Sequence, residues 1–208
     1  MQETNLILFL TASLALIVAP GPDNILVLTR GIAQGRGAAL VSAAGASMGL
    51  VVHLAFAVIG LSALLQQSAT AYSVVKYAGA AYLIYLGIKT LWDREGFAVS
   101  GEVVPARLSS IFFQAVASNV LNPKVALFFL AFLPQFANPA GGGAAPQLLA
   151  LGLTFALLTW MTFSALGYFS GSLGNWLTSR PKLADGLRWL TGGVLIGLGL
   201  RLALPDRR

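Results

Sequence analysis

Apolar residues run along this chain in six long stretches, separated by short polar or glycine-rich connections. The stretches cover roughly Asn5 to Leu28, Ala38 to Leu65, Ala71 to Trp92, Ser110 to Leu133, Gln147 to Ser170 and Leu187 to Leu204. Periodicity does not separate a buried strand from a helix in such apolar sequence, but each run is far longer than an ordinary strand, so length decides for helices. Crossing a hydrocarbon core of about 30 Å takes about 20 apolar residues at 1.5 Å rise each. Six spans therefore account for most of the chain.

Composition agrees. Of 208 residues, 57% are hydrophobic and only 10% charged, against about one-quarter charged in a soluble domain. The pattern leaves no room for a large soluble catalytic domain, and the expected fold is an all-α membrane protein forming a single transmembrane domain over residues 1–208. The N-terminal apolar run lacks the basic lead of a secretory signal, its only preceding charge being Glu3, and is expected to be a retained first helix. There is no cysteine, which removes disulfides, thiol relays and thiolate metal sites. The net charge of +6 comes from bases scattered singly between apolar runs. It is therefore read as topology and not as a nucleic-acid surface.

Those bases fall mainly on alternate connections. Arg30, Arg36, Lys89, Arg94, Arg107, Arg180, Lys182 and Arg188 lie on one side; Lys76, Arg201, Arg207 and Arg208 lie on the other. The positive-inside rule then places both termini outside the bacterial inner membrane. Glycines at a spacing of four, Gly45 and Gly49, Gly167 and Gly171, Gly193 and Gly197, are read as ordinary helix packing. Asn138-Pro139-Ala140 is read as turn chemistry in a Pro/Gly-rich connection, since a water-channel pore needs two such copies.

The third and sixth stretches share a register. A shift of 112 residues lays Leu83 on Leu195, Ile84 on Ile196, Leu86 on Leu198, Gly87 on Gly199, Lys76 on Arg188, Tyr77 on Trp189 and Lys89 on Arg201. This predicts two three-helix repeats, about 5–94 and 110–207. With an odd number of helices each, they enter the membrane in opposite senses. Inverted repeats of this kind place substrate sites where discontinuous helices meet near the midplane.

The first helix of each half carries a breaker: Ala19-Pro20-Gly21-Pro22-Asp23-Asn24 in span one and Asn119-Val120-Leu121-Asn122-Pro123-Lys124 in span four. Proline removes an amide donor and clashes with a preceding carbonyl, so Pro20, Gly21 and Pro22 should interrupt span one and Pro123 should bend span four. The freed carbonyls must be buried in protein or face a wet cavity. Apart from His53, Asp23 and Lys124 are the only ionisable groups well inside a span. A charge there costs at least about 2.5 kcal/mol on insertion scales, which makes such residues markers of a pathway. One reading is a salt bridge between Asp23 and Lys124 that pins the repeats together. The other is a zwitterion site, in which Asp23 takes an α-ammonium, Lys124 and half-helix amides take an α-carboxylate, and Asn24, Asn119 and Asn122 lie between them. His53 is a second candidate for proton coupling beside Asp23, or a histidine bonded across a helix interface. Ser118 is expected to bond back to its own helix.

Taken together, Pro20-Gly21-Pro22-Asp23-Asn24, Gly31, the Gly35-Arg36-Gly37 turn, Leu83 to Gly87, Asn122-Pro123-Lys124 and Pro134-Gln135-Phe136 make the chain similar, over essentially its whole length, to the LysE/RhtB family of bacterial amino-acid exporters. The resemblance implies an inner-membrane secondary transporter that expels amino acids such as threonine, homoserine, leucine or basic amino acids, in exchange for protons. Apart from Asp23 no carboxylate lies inside a span to receive a cationic side chain, which favours neutral substrates. No phosphate-binding loop is present, so ATP is not the direct driver, and no cofactor or metal is expected. HExxH does not occur, and Gly45-Ala46-Ser47-Met48-Gly49 lies inside an apolar helical stretch and so makes no GxSxG elbow between a strand and a helix, which leaves enzyme chemistry without its parts. A passive channel and a structural membrane subunit are the competing classes. The expected partners are an amino acid, protons and the lipid bilayer, with a homo-oligomer as a further option.

Overall fold

The computed structural model describes residues 3–61, 69–92, 104–137, 144–171 and 181–204. Eight α-helices lie among the described residues: α1 (Glu3–Val18), α2 (Pro22–Gln34), α3 (Arg36–Phe56), α4 (Ala69–Trp92), α5 (Leu108–Val120), α6 (Pro123–Leu127), α7 (Ala144–Tyr168) and α8 (Pro181–Ala203). α3 widens into a π turn over Ala57–Leu61. α6 does the same over Phe128–Phe132 before tightening to a 3₁₀ turn over Leu133–Phe136. There is no strand among the described residues. Arg94, Arg180, Arg207, Arg208 and the Asn138-Pro139-Ala140 connection lie outside them.

Both expected breaks are present. α1 and α2 meet at 57° around Ala19 to Gly21, and α5 meets the α6 segment at 48° around Leu121 and Asn122. Residues 36–60 and α7 are each long and apolar enough to cross a membrane alone, and each bent pair qualifies as one broken span, giving up to four among the described residues. α4 and α8, with 24 and 23 residues, have the length of a span but carry charges along it.

α2 shows the inversion that lipid imposes. Asp23, Asn24, Val27, Leu28, Arg30 and Gly31 form its buried stripe, while Ile25 and Ile32 face outward. Polar side chains turn inward because only protein can satisfy them there. The apolar core lies beside the second break, where Phe9, Phe128, Phe129, Phe132, Phe136 and Phe155 are almost wholly buried. Their rings meet edge-on or tilted at 4.8 to 6.2 Å, as at 4.8 Å between Phe128 and Phe155 and 5.3 Å between Phe9 and Phe136, a geometry favoured by the ring quadrupole.

Helices α4 and α8 pack antiparallel along a glycine-faced seam. A Cβ placed on Gly87 would lie 2.7 Å from Ile196 Cγ1, and one on Gly199 would lie 2.6 Å from Ile84 Cγ1. The two contacts exchange under the 112-residue register. α3 packs against α5, with Gly49 so close that a Cβ would lie 2.7 Å from that of Asn119. The glycine expectation needs correction, because Gly171, Gly193 and Gly197 meet nothing within 4 Å. In the last helix, Gly192 and Gly199 make the close approach instead. A repeat of four along the chain does not tell which face is turned inward.

Candidate functional site

Each broken span restarts in the same way. Pro22 opens α2 and Pro123 opens α6, each at a position whose amide would have no intrahelical partner. The residue that follows carries the charge: Asp23 in the first turn of α2, Lys124 in the first turn of α6. Both are buried, as are Asn24, Asn119 and Asn122. Asn122 caps α6 through its side-chain oxygen, which accepts from the Lys124 amide at 3.0 Å.

The two charged side chains reach past each other. Asp23 crosses to the second break, where Oδ1 accepts from Ser118 Oγ at 2.7 Å and Oδ2 accepts from the Nδ2 atoms of Asn119 at 2.8 Å and Asn122 at 3.0 Å. Lys124 crosses to the first break and its Nζ donates to the Ala19 carbonyl at 2.8 Å. That carbonyl ends α1, where the helix dipole is negative and an ammonium is favoured. The carboxylate in turn sits at the positive end of α2. The Asp23–Lys124 salt bridge, the alternative reading of the sequence, is not formed. Among the described residues the two groups make no ion pair, because each has been taken by the other half's unwound backbone or its amides.

The remaining freed backbone groups find partners too. Asn24 Nδ2 donates to the Ile17 carbonyl at 2.8 Å. Asn119 O, whose helical partner would have been the missing amide of Pro123, lies 2.9 Å from His53 Nε2. A carbonyl only accepts, so Nε2 carries the proton. The structure thus brings Asp23, Asn119, Asn122 and His53 together around the second break, and Lys124, Pro20, Gly21, Pro22 and Asn24 around the first. Gly21 makes room for the lysine: a Cβ there would stand 3.0 Å from Lys124 Nζ.

Two residues were missed. Ser118 does not bond back to its helix but donates to Asp23, so that expectation is corrected; its place one residue before Asn119 was the only hint. Arg30 counts in the sequence merely as a topological charge, yet it is buried two turns beyond Asp23 on the same stripe of α2. Two acceptors beside the breaks, Asn24 Oδ1 and Asn119 Oδ1, are buried and have no hydrogen-bond partner. A carboxylate with spare acceptor capacity, two unpartnered amide oxygens and a buried ammonium make an arrangement suited to a small zwitterion.

The family model described as LysE type translocator matches residues 14–205 and so includes both breaks. The chain belongs to this family. Similar members include an uncharacterized membrane protein, YrhP, of Bacillus subtilis, 29% identical over 96% of this chain and 99% of its own length. A leucine efflux protein of Klebsiella pneumoniae is 34% identical over 96% of this chain and 94% of its own. A leucine efflux protein of an Enterobacter species is 30% identical over 94% of this chain and 93% of its own. No solved structure matches this LysE-type chain.

Proposed function

We propose that this protein exports a neutral amino acid such as leucine, threonine or homoserine from the bacterial cytoplasm across the inner membrane, in exchange for protons. Membership of the LysE type translocator family and similarity to leucine efflux proteins support amino-acid export. The observation that carries the mechanism is the buried Asp23 carboxylate at a broken helix, held by three donors from the opposite break. Asp23 binds the substrate α-ammonium with help from Asn24 Oδ1 and Asn119 Oδ1. Lys124 and the half-helix amides of α2 and α6 bind the α-carboxylate. A proton and an ammonium compete for the same carboxylate, so occupancy by one releases the other. His53 relays the proton to the break.

In this reading all six stretches span the membrane, with α4 and α8 among them and both termini outside. The exchanging contacts of α4 with α8, and the mutual reach of Asp23 and Lys124, support two inverted repeats meeting at the site. The test is efflux of radiolabelled leucine from proteoliposomes under an imposed pH gradient. Saturable efflux that stops with a protonophore is expected. Flux that neither saturates nor shows counterflow would make the protein a channel, and flux indifferent to the gradient would remove the proton from the mechanism. Reporter fusions at the C-terminus test the orientation.

A further inference from the structure

Arg30 occupies an unusual position for a charge. It is 8% exposed, and all its acceptors are neutral: Nη1 donates to Gln34 Oε1 at 2.8 Å and Val104 O at 3.1 Å, and Nη2 to Gln114 Oε1 at 2.8 Å. Nε is buried with no hydrogen-bond partner. A guanidinium has five N–H donors; three are engaged here, and the free ones include Nε–H. Among the described residues no carboxylate pairs with it. Truly buried charges are usually paired, because an uncompensated one is expensive to keep from water.

Its place on the helix gives the missing anion an identity. Seven residues, about 10.5 Å of helix rise, separate it from Asp23 on the same buried stripe of α2. Both reach the same partner helix, Asp23 to Ser118 and Asn119 of α5 and Arg30 to Gln114 one turn earlier. The α2–α5 seam therefore carries a negative group at the break and a positive one at its far end, with Val27 and Leu28 of α2 buried between them. That far end adjoins Val104 and Ala106, the latter bonded to Gln34 through both its amide groups. This is the side on which the charge pattern of the sequence puts the basic connections.

We infer that Arg30 is a docking position for the carboxylate of the departing amino acid, occupied before the substrate reaches the break. The inference rests on the transporter reading above. The carboxylate takes the free donors of Arg30 as the seam opens, and the molecule then passes to Asp23 and Lys124. The two stations are too far apart for one α-amino acid to bridge, so they are visited in turn.

The test compares leucine with leucinamide, which keeps the ammonium and side chain but lacks the carboxylate, in proteoliposome transport by wild type, Arg30→Gln and Gln114→Glu. The second variant gives Arg30 an internal counter-ion without removing it, so it serves where Arg30→Gln fails to insert. The expected result is a leucine KM raised about tenfold in each variant, with maximal rate within twofold of wild type and the inhibition constant of leucinamide unchanged. A leucine KM within twofold of wild type in Gln114→Glu, or equal shifts for leucine and leucinamide, would overturn the inference and leave Arg30 a tether for Val104. Wild-type protein that moves no amino acid at all would instead overturn the transporter reading on which the inference stands.

Discussion

Replacing Asp23 by Asn separates the charge of the site from its hydrogen bonding. The Asn oxygen can take the place of Oδ2 and accept from Asn119 and Asn122, while its Nδ2 takes the place of Oδ1 and donates to the Ser118 hydroxyl, which rotates to accept. Three bonds to a charged acceptor, each about 1.5–3 kcal/mol, become neutral bonds of about 0.5–1.5 kcal/mol, a loss of roughly 3 kcal/mol. Removing a carboxylate from the membrane interior returns about 2.5–3.5 kcal/mol on insertion scales. The two terms nearly cancel, so Asp23→Asn should fold and melt in detergent close to wild type. Asp23→Ala should not, because two buried amide donors lose their acceptor at about 1–3 kcal/mol each. Transport behaves differently: losing the charge that holds an ammonium costs about 1.5–3 kcal/mol of binding, a fall of about tenfold to a hundredfold in efflux at low substrate. Paired melting curves and leucine efflux from proteoliposomes check both halves. Wild-type efflux by Asp23→Asn would refute the assigned role. An unfolded Asp23→Asn beside a folded Asp23→Ala would refute the hydrogen-bond accounting.

The other expectations concern neighbouring residues. Lys124→Met leaves the Ala19 carbonyl without its donor, at about 1–3 kcal/mol, but removing an ammonium from the membrane interior returns about 2.5–3.5 kcal/mol, so it should insert and melt close to wild type with a raised leucine KM; an unchanged KM would remove Lys124 from the substrate site. Gly21→Ala puts a methyl within 3.0 Å of Lys124 Nζ and should reduce transport in the wild-type background but add little in Lys124→Met, an interaction that a double-mutant cycle measures. Ser118→Ala removes the donor to Asp23 Oδ1 and should slow efflux several-fold, with recovery in Ser118→Thr, where the hydroxyl returns. His53→Gln can still donate to Asn119 O, so leucine counterflow should persist while efflux driven by a pH gradient is lost; equal effects on both would confine His53 to holding the break.

The two broken helices were legible from the chain because proline leaves backbone no alternative: Pro22 and Pro123 each begin a new helix, and the charged residue after each is carried into the interior with it. Less was legible about what those charges touch. Asp23 and Lys124, as opposite charges beside two breaks, suggest a direct pair, yet each lies nearer to the unwound backbone or side-chain amides of the other break than to its opposite charge. Only the crossing of the helices shows this. Ser118 faced the same limit, since its choice between its own helix and Asp23 depends on how α2 lies across α5. Arg30 was hidden for another reason: a base next to a loop is usually solvated, and its burial here requires the connection at Val104 to Ala106 to fold over the end of α2. The glycines of α8 show how little periodicity says about rotation, for Gly192 and Gly199 turn inward while Gly193 and Gly197 do not.

The seam between α4 and α8 has a consequence for how damage to this protein can be repaired. Gly87 opposes Ile196 as Gly199 opposes Ile84, so a methyl added at either glycine meets an equivalent obstacle and each lesion has a twin on the other helix. Trimming the opposed isoleucine relieves neither, because each added methyl also meets backbone: Gly192 O at 2.7 Å from the Gly87 position and Ala80 O at 2.8 Å from the Gly199 position. Only moving the two helices apart makes room, so a second-site change in a side chain of this seam should not restore Gly87→Ala or Gly199→Ala.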